Sequence, residues 1–480
     1  MSDNSNSKDS PFSVSGLSLL NGNATGESGG AINSAESLTV KGCVIFGNTA
    51  DSGGGIYMDQ GAAVKILISD STISGNSATS GWGGGLYLKA GGSVSVINST
   101  VSGNTETGGD GGGAYLATTG SHPNQKITVT GSVFTNNSSN GGGGGLFIIG
   151  RSAKVAITKT DISGNTAKGN GGGLYLNNSI ATLTGCNIAN NSTTGASSKG
   201  GGIFSAGTAA TLNSTNVIGN SAVADGGGIA HDGSKSDANI LTVNGGNIAG
   251  NKAGGNGGGI SGKNGGKVLL KGANIFGNAA TGNGGGVSVS GSGTSATKLE
   301  ISGGIFTGNS ASGGGAVDTT GDGTVAIKTA KFFSNKATSH IGGALYLRTT
   351  TTASIVSSLF NGNIASDEGG AMLLAGSGTF TLKGVNVLNN LATNDCGGTV
   401  IFGSAVVNVS SSLFKGNISG ADGGAIGLFG GSLTIKSSSI TGNVAKGDSG
   451  GIYRNGGTTT VDTTVKLFNN TAPTNPDKNF

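Results

Sequence analysis

The amino-acid sequence predicts an all-β, single-stranded parallel β-helix (β-solenoid) of about 16–17 turns, each of about 28 residues. Three observations predict it: a recurring asparagine, an apolar residue always three positions before it, and a Gly-Gly pair after it in every repeat but the last. Glycine supplies 99 of 480 residues, and only 34% of the chain is apolar. Such a composition favours an architecture in which each repeat is stabilised by its neighbours.

The asparagine sets the period of the repeat. It occurs at Asn23, Asn48, Asn76, Asn104, Asn137, Asn165, Asn191, Asn220, Asn251, Asn278, Asn309, Asn335, Asn363, Asn390, Asn417, Asn443 and Asn470. The apolar residue three positions earlier, such as Leu20 or Phe134, is expected to face the interior. The residue directly before the asparagine is Gly in twelve repeats, Asn in four and Ser in one. That preference is typical of a backbone position with positive φ, and it predicts a fixed left-handed corner.

Alternating segments predict the strands. "SVSVIN" at 93–98 and "TLTG" at 182–185 have a period of two, and no stretch has a sustained period of 3.6. Stacked turns would pair their backbones and align the asparagines into a ladder of side chains. We expect a lead-in or cap at 1–17, repeats over 18–472 and a tail at 473–480.

Two sequence patterns resemble the repeats of the polymorphic outer membrane protein family, found in chlamydial-type surface autotransporters. The GGA-φ pattern starts at Gly29, Gly314, Gly342, Gly369 and Gly423, and the FxxN pattern starts at Phe134, Phe306, Phe332, Phe360 and Phe414. The resemblance implies a right-handed β-helix that serves as an adhesive passenger region outside the cell or at its surface. No secretory signal is visible in the sequence, and no apolar run approaches the roughly 18 residues of a membrane span.

Charge and cysteine content exclude several function classes. The net charge is only +4, and no cluster of Lys or Arg is interleaved with aromatic residues, so we expect no nucleic-acid partner. Cys43 and Cys186 lie too many turns apart for a disulfide, and with Cys396 they are expected to be small buried side chains.

An enzyme of the polysaccharide lyase or hydrolase class is the third hypothesis, because parallel β-helices also carry such enzymes. Their chemistry needs paired carboxylates, or an acidic calcium cluster with a basic residue. The best fragment, His231 beside Asp232, is expected to be a polar turn in a corner insertion. We therefore expect no enzymatic activity, no catalytic residue and no cofactor other than weakly bound calcium.

Three longer intervals indicate loops that decorate one corner. Their additions lie near 118–126, 231–239 and 290–298, after the Gly-Gly run and before the next strand. Loops on a rigid scaffold are common recognition sites, and the alternative is that these are tolerated insertions. The first hypothesis is thus a surface rod that binds a host-cell protein or a glycan. The second is a structural protein that self-associates end to end into filaments.

An aromatic stripe is the first candidate binding site. Six consecutive turns carry an aromatic residue two positions after the Gly-Gly pair: Tyr57, Tyr87, Tyr115, Phe147, Tyr175 and Phe204. Because their neighbours are mostly aliphatic, alternation along the strand predicts that the aromatic side chains point outward. Such a stripe would suit stacking on sugar rings or lateral association. The alternative is simple stacking of the rings on one another.

An acidic ladder is the candidate metal site. Four consecutive turns carry a carboxylate five residues after the asparagine: Glu368, Asp395, Asp422 and Asp448. Stacking in register would bring neighbouring carboxylates to about 5 Å, where they repel. Weak, millimolar calcium binding would relieve that repulsion. The alternative is that each carboxylate accepts hydrogen bonds from the amides of its own turn.

Overall fold

The computed structural model confirms an all-β parallel β-solenoid of about 16 turns. The structure describes residues 10–61, 63–120, 125–151, 153–234, 236, 238–291, 296–349 and 352–478. This part of the chain contains no helix, and hence none long and apolar enough to cross a membrane. The contacts divide the chain into two compact units. Unit 1 is Met1–Asp232 with Ala238–Leu241, and unit 2 is Gly233–Asp237 with Thr242–Phe480.

A typical turn contains four strands, as in Leu86–Ala90, Ser93–Ile97, Thr100–Ser102 and Thr105–Glu106. The first two belong to sheet A, the third to sheet B and the fourth to sheet C. Strands at the same position of neighbouring turns pair in parallel and in register, so that Tyr87 lies beside Tyr115. Residues one repeat apart are therefore stacked directly on one another.

The strands of unit 1 follow this order. At the first position of sheet A they are Ile32–Ser34, Ile56–Gln60, Leu86–Ala90, Ala114–Thr118, Leu146–Ile149, Leu174–Asn177, Ile203–Ala206 and Ile229–Asp232. At the second position they are Phe12–Ser15, Leu38–Lys41, Lys65–Ser69, Ser93–Ile97, Lys126–Thr130, Lys154–Thr158, Ile180–Thr184 and Ala209–Asn213. Sheet B contains Ser18–Leu20, Val44–Phe46, Thr72–Ser74, Thr100–Ser102, Val133–Thr135, Asp161–Ser163, Asn187–Ala189 and Asn216–Ile218. Sheet C contains Asn23–Ser28, Thr49–Ser52, Ser77–Ala78, Thr105–Glu106, Ser138–Ser139, Thr166–Ala167, Ser192–Thr193 and Ser221–Ala222.

Unit 2 repeats the same order, and strand Ile240–Asn244 has residues in both units. Sheet A has Ile260–Lys263, Val287–Ser290, Val317–Gly321, Leu345–Thr349, Met372–Ala375 and Thr399–Ile401 at the first position, and Lys267–Lys271, Thr297–Ser302, Gly323–Lys328, Thr352–Val356, Thr379–Lys383 and Val406–Ser410 at the second. In the last two turns the two positions merge into Ile426–Lys436 and Ile452–Val461. Sheet B contains Asn247–Ala249, Asn274–Phe276, Ile305–Thr307, Lys331–Phe333, Leu359–Asn361, Asn386–Leu388, Leu413–Lys415, Ser439–Thr441 and Lys466–Phe468. Sheet C contains Lys252–Ala253, Ala279–Ala280, Ser310–Ala311, Lys336–Ala337, Ile364–Ala365, Leu391–Ala392, Ile418–Ser419 and Val444–Ala445.

The core of each unit is a set of side-chain stacks inside the turns. Alternate residues of sheet A, such as Leu86 and Leu88, are fully buried. The apolar position three residues before the asparagine points inward, as predicted, except in the first turn. There Leu20 is 53% exposed, and Leu19 pairs with the inward Ile45 in its place because the register is shifted by one residue. In unit 2 the rings of Phe306, Phe332 and Phe360 stack there with centroids 4.8 and 4.7 Å apart. A narrow core thus suffices because every buried side chain contacts its equivalents in the adjacent turns.

The predicted asparagine ladder is present in both units. The side chain of Asn76 accepts from the backbone N–H and the amide of Asn48 at 3.0 and 2.8 Å, and it donates to Ile45 O and Asn104 Oδ1 at 3.0 and 2.9 Å. This pattern links Asn48 through Asn220 in unit 1 and Asn251 through Asn470 in unit 2. The prediction was wrong for Asn23, which is exposed and pairs with Thr49, so that Gly22 takes the place of the ladder asparagine in the first turn. Each ladder therefore satisfies buried polar groups that would otherwise destabilise the turn.

The left-handed corner is also confirmed. The residue before the asparagine has positive φ in sixteen of seventeen turns, and the exception is Gly22, where the neighbouring Asn21 has φ 56° instead. The Gly-Gly pairs mark close backbone approach, as predicted. A Cβ on Gly112 would overlap the carbonyl oxygens of Gly144 and Ser138 in the next turn. Only glycine fits that position.

The predicted segment boundaries stay predictions. Within 1–17, the strand Phe12–Ser15 pairs in register with Leu38–Lys41, and residues 1–9 lie outside the described residues. Within the tail, Thr474 and Lys478 form bridges to the preceding turn, and 479–480 lie outside. The three corner insertions are described only in part, since 121–124, 235, 237 and 292–295 lie outside as well. All three cysteines are free and buried, as expected.

Candidate functional site

The six predicted aromatic residues form one continuous ring stack in unit 1, which we call the aromatic stack. Consecutive centroids along Tyr57, Tyr87, Tyr115, Phe147, Tyr175 and Phe204 lie 4.8, 4.9, 5.4, 4.5 and 4.9 Å apart. The stack lies on the outer side of sheet A. This follows because Tyr87 shares its side of the strand with Lys89, whereas Leu86 and Leu88 fill the core.

Ring stacking covers most of this surface. Tyr87 is only 5% exposed, and Phe147 and Phe204 are also buried. The neighbours of Tyr87 and Tyr115 are stacked on both of their faces, with interplanar angles of 13°, 7° and 6°, so the faces of these two rings are closed to a ligand. Burial, followed by the charge of Asp59, raises the pKa of Tyr87, whose hydroxyl donates to Asp59 Oδ2 at 3.3 Å. Simple ring stacking thus describes the geometry of the stripe, and ligand binding by its rings stays a prediction.

Trp82 supplies the accessible aromatic surface that the sequence analysis missed. Its ring centroid lies 6.2 Å from that of Tyr87 and 6.1 Å from that of Tyr115, tilted by 35° and 40°. Unlike the rings beneath it, Trp82 is 46% exposed. The only tryptophan of the chain therefore lies over the aromatic stack with part of its indole open to solvent.

A small pocket opens beside this indole, which we call the Trp82 pocket. It has a volume of about 260 Å³ and is lined by Asp59, Trp82, Tyr87, Lys89, Tyr115, Ala117, Thr118, Ile149 and Arg151. Lys89 Nζ pairs with Asp59 Oδ1 at 2.9 Å. Burial raises the pKa of Tyr115 to about 12, so its hydroxyl stays protonated at neutral pH. The pocket thus combines an aromatic wall with several hydrogen-bonding groups and charges.

Glycine in the next turn makes room for Trp82. A Cβ on Gly109 would lie 2.6 Å from Cδ1 of the indole, so any larger residue would displace it. Trp82 directly precedes the left-handed Gly83, which has φ 70°. In the other turns this position holds a small, polar or aliphatic residue, for example Asp110 or Asn170. The signal available in the sequence was thus a single deviation from the repeat, which an argument from periodicity overlooks.

The predicted acidic ladder occupies the same repeat position in unit 2. Its side chains Glu368, Asp395, Asp422 and Asp448 directly precede the residue with positive φ in successive turns, which is Gly369, Cys396, Gly423 and Ser449. Asp422 N–H donates to Asp395 Oδ1 at 2.8 Å, and Asp448 N–H donates to Asp422 Oδ1 at 2.6 Å. The carboxylates of Asp395 and Asp422 therefore accept from the amide of the next turn, whereas the alternative hypothesis expected an amide of their own turn. Each bond offsets part of the repulsion between neighbouring charges.

Burial governs the protonation of this ladder. Burial, then the charges of Asp367 and Asp395, raises the pKa of Glu368 to about 7. Burial also raises the pKa of Asp395. Within the described residues no three His, Cys, Asp or Glu side chains converge as a metal site. Weak calcium binding, through fewer carboxylates with turn carbonyls and water, stays a prediction.

The structure corrects the placement of His231. The sequence analysis put it in a corner insertion, but it lies in strand Ile229–Asp232 and is buried. Its Nδ1 is 3.2 Å from Ser205 Oγ, and its Nε2 is 3.2 Å from Asn239 O. Burial lowers its pKa. Since both ring nitrogens have partners within the fold, His231 serves the packing of the turn.

A buried ion pair in unit 2 was also missed by the sequence analysis. Asp318 occupies the repeat position of the aromatic stack, and its Oδ1 is 2.8 Å from Arg348 Nη2. The hydroxyl of Ser288 donates to its other oxygen at 3.3 Å, and the Arg348 guanidinium lies 4.0 Å from the centroid of Tyr346. The Asp318 side chain is only 4% exposed. Because both carboxylate oxygens of Asp318 are engaged by protein groups, we interpret this cluster as structural.

Comparison with known proteins supports the fold. The family model described as a right-handed β-helix region matches residues 4–174. That region contains the aromatic stack as far as Phe147 and all the residues that line the Trp82 pocket. No curated protein and no solved structure matches the chain. The right-handed sense expected from the sequence agrees with the matched family, and the polymorphic outer membrane protein family is not shown by these comparisons.

Proposed function

We propose that this chain is a non-enzymatic binding protein, located outside the cell or at its surface, that contacts its partner through the Trp82 pocket. The observation that carries the proposal is the indole of Trp82, which is 46% exposed beside a pocket of hydrogen-bonding groups. An aromatic side chain of this kind offers a large contact area at a low cost in conformational entropy. The partner would be a host-cell glycan or protein.

The surroundings of Trp82 support a recognition role. The aromatic stack below it fixes Tyr87 and Tyr115 in register, so these two walls of the pocket are held on a rigid sheet, while Trp82 and Arg151 project from the adjoining turns. Sites built on strands hold their side chains more precisely than sites on loops. We favour binding without catalysis because both ring nitrogens of His231 have partners within the fold, and the buried carboxylate of Asp318 is engaged by Arg348 and Ser288.

An array of immobilised glycans and extracellular-matrix proteins tests this function. We expect wild-type protein to bind one class of probe and Trp82→Ala to lose that binding. The matched control is Phe46→Ala, because Phe46 is 49% exposed in the same unit and lies over Gly75 as Trp82 lies over Gly109. Equal binding by wild type and Trp82→Ala, or no binding by wild type, would contradict the proposal.

A second candidate function is end-to-end self-association, which the first turn of unit 1 favours. Phe12 and Leu17 are exposed there and line a cavity of about 430 Å³ with Val14. Exposed apolar residues at a strand edge favour pairing with another copy. Light scattering over a range of concentrations tests this candidate: growth in mass supports it, and a constant monomer mass excludes it.

A further inference from the structure

We infer that the Trp82 pocket binds a saccharide ring that carries a carboxylate, with the ring against Trp82 and the carboxylate on Arg151. This inference rests on the proposed function and names the ligand class of the same site. It follows from the balance of charge in the pocket, from the groups left without protein partners and from the size of the cavity.

The charges that line the pocket do not cancel. Asp59 is neutralised by Lys89, whose Nζ lies 2.9 Å away. Arg151 lines the same pocket, is exposed and is not engaged by a carboxylate anywhere in the described part of the chain. One guanidinium therefore remains for a ligand, and its planar fork is suited to a carboxylate.

The neighbouring groups favour a saccharide as the carrier of that carboxylate. The indole of Trp82 offers an apolar face, and the apolar C–H face of a sugar ring fits such a surface. The hydroxyl of Tyr115 has no hydrogen-bond partner among the residues that the structure describes. Together with the Asp59–Lys89 pair, it offers both donors and acceptors to ring hydroxyls.

The size of the pocket limits the ligand. Its volume of about 260 Å³ lies just below the roughly 300–1,000 Å³ typical of drug-sized ligands. We therefore expect one or two sugar rings to occupy it at a time. A longer polysaccharide would extend along the outer side of sheet A.

Fluorescence titration with matched sugars tests the inference. Trp82 is the only tryptophan, so a ligand-induced change in its emission reports on this pocket alone. The probes are glucuronic acid and glucuronamide, which share a ring and differ in charge. We expect glucuronic acid to bind about 10- to 100-fold more tightly, the usual effect of a charge-assisted hydrogen bond. Hyaluronan fragments and their carboxyl-reduced form repeat the comparison on a polymer and distinguish a polymer ligand from a free sugar.

Substitutions of Arg151 assign the preference to this side chain. Arg151→Gln should remove the preference for the acid without weakening the binding of glucuronamide, and Arg151→Lys should restore part of it. Because Arg151 is exposed, these variants should keep the wild-type circular dichroism spectrum.

Two outcomes separate this inference from the function on which it rests. If neutral and acidic sugars bind equally, or neither binds while Trp82→Ala still loses binding on the array, the acidic-sugar inference fails and the proposed function survives. If Trp82→Ala retains wild-type binding to every probe, both fail.

Discussion

The two units use one scaffold and differ in what they place on its outer side. In unit 1 the outer position of sheet A carries the aromatic stack, and the position before the left-handed glycine includes Trp82. In unit 2 the first of these positions includes Leu373 and Val400, and the second carries the acidic ladder. The strand order, the asparagine ladder and the glycine corners are the same in both units. The stabilising features that the two units share therefore lie inside the turn, whereas the chemical character of each unit depends on two outward positions.

On the outer side of sheet A, unit 2 has a buried apolar cluster, whereas unit 1 has the Trp82 pocket. Leu373, Val400 and Cys396 form a buried cluster there, against which Ile341, Tyr346, Ala375, Phe402 and Phe429 pack. Cys396 stands at a left-handed corner with φ 62°, a position usually held by glycine. Gly427 in the next turn compensates, because any side chain there would collide with Cys396 Sγ. Burial raises the pKa of the Cys396 thiol well above its ordinary value, so this cysteine is unreactive.

The largest expected loss of stability comes from breaking the asparagine ladder, which both units share. Asn363→Ala removes the acceptor of the Asn335 N–H and amide, at 3.0 and 2.9 Å, and the donor to Phe332 O. Buried groups left without partners cost about 1–3 kcal/mol each, so we expect a loss of about 3 kcal/mol or more. Asn191→Ala in unit 1 should cost a similar amount. Urea unfolding followed by circular dichroism measures both, and Asn23→Ala, at an exposed asparagine outside the ladder, is the control. A large difference between the two buried substitutions would show that the units do not share one stabilising device.

An intermediate loss of stability is expected from substitutions in the aromatic stack of unit 1. The sequence hypothesis of an outward stripe expects tyrosine-to-serine changes to preserve the fold. Because Tyr87 is 5% exposed between two stacked rings, we expect Tyr87→Ser to cost about 2–4 kcal/mol. Tyr87→Phe keeps the ring and loses only the hydroxyl bond to Asp59, so it should cost about 1 kcal/mol or less. Unchanged urea midpoints in both variants would mean that the stack adds nothing to stability.

The smallest expected effect is a pH dependence of the thermal midpoint, which comes from unit 2. Because the folded state raises the pKa of Glu368 from 4.5 to about 7, it binds this proton more tightly than the unfolded chain does. The resulting stability is fully present below about pH 4.5 and is lost as the pH rises through about 7. We expect the thermal midpoint of unit 2 to fall between pH 5 and pH 8. Glu368→Gln should flatten that dependence, and Asp70→Asn, an exposed change in unit 1, should not. If the thermal midpoint of Glu368→Gln still fell with rising pH, the pH dependence would come from another titrating group.

Periodicity made the inside of the turn predictable. Each inward position is sampled many times along the chain, so the positions of Asn363 and Phe332 and the left-handed corners follow from the sequence alone. The outer layer was predicted less well. Trp82 occurs once, so the periodicity of the sequence gives no signal for it. The space for its indole depends on Gly109 in the next turn. The hydrogen bond from the Asp422 amide to Asp395 was also missed, because spacing gives the separation of turns and not the direction of a carboxylate.

The asparagine ladder gives unit 2 an electrical polarity. One N–H of each ladder amide donates to the asparagine of the following turn, and the amide oxygen accepts from the preceding one, so the amide dipoles add along the stack, as peptide dipoles add along an α-helix. In the final turn the positive end of this series, the amide of Asn470, donates to the carboxylate of Asp477 at 3.1 Å. Hydrogen bonds in such a chain polarise one another, so each turn strengthens those before it. A turn inserted with any other residue at this position would interrupt the series and divide it into two shorter dipoles.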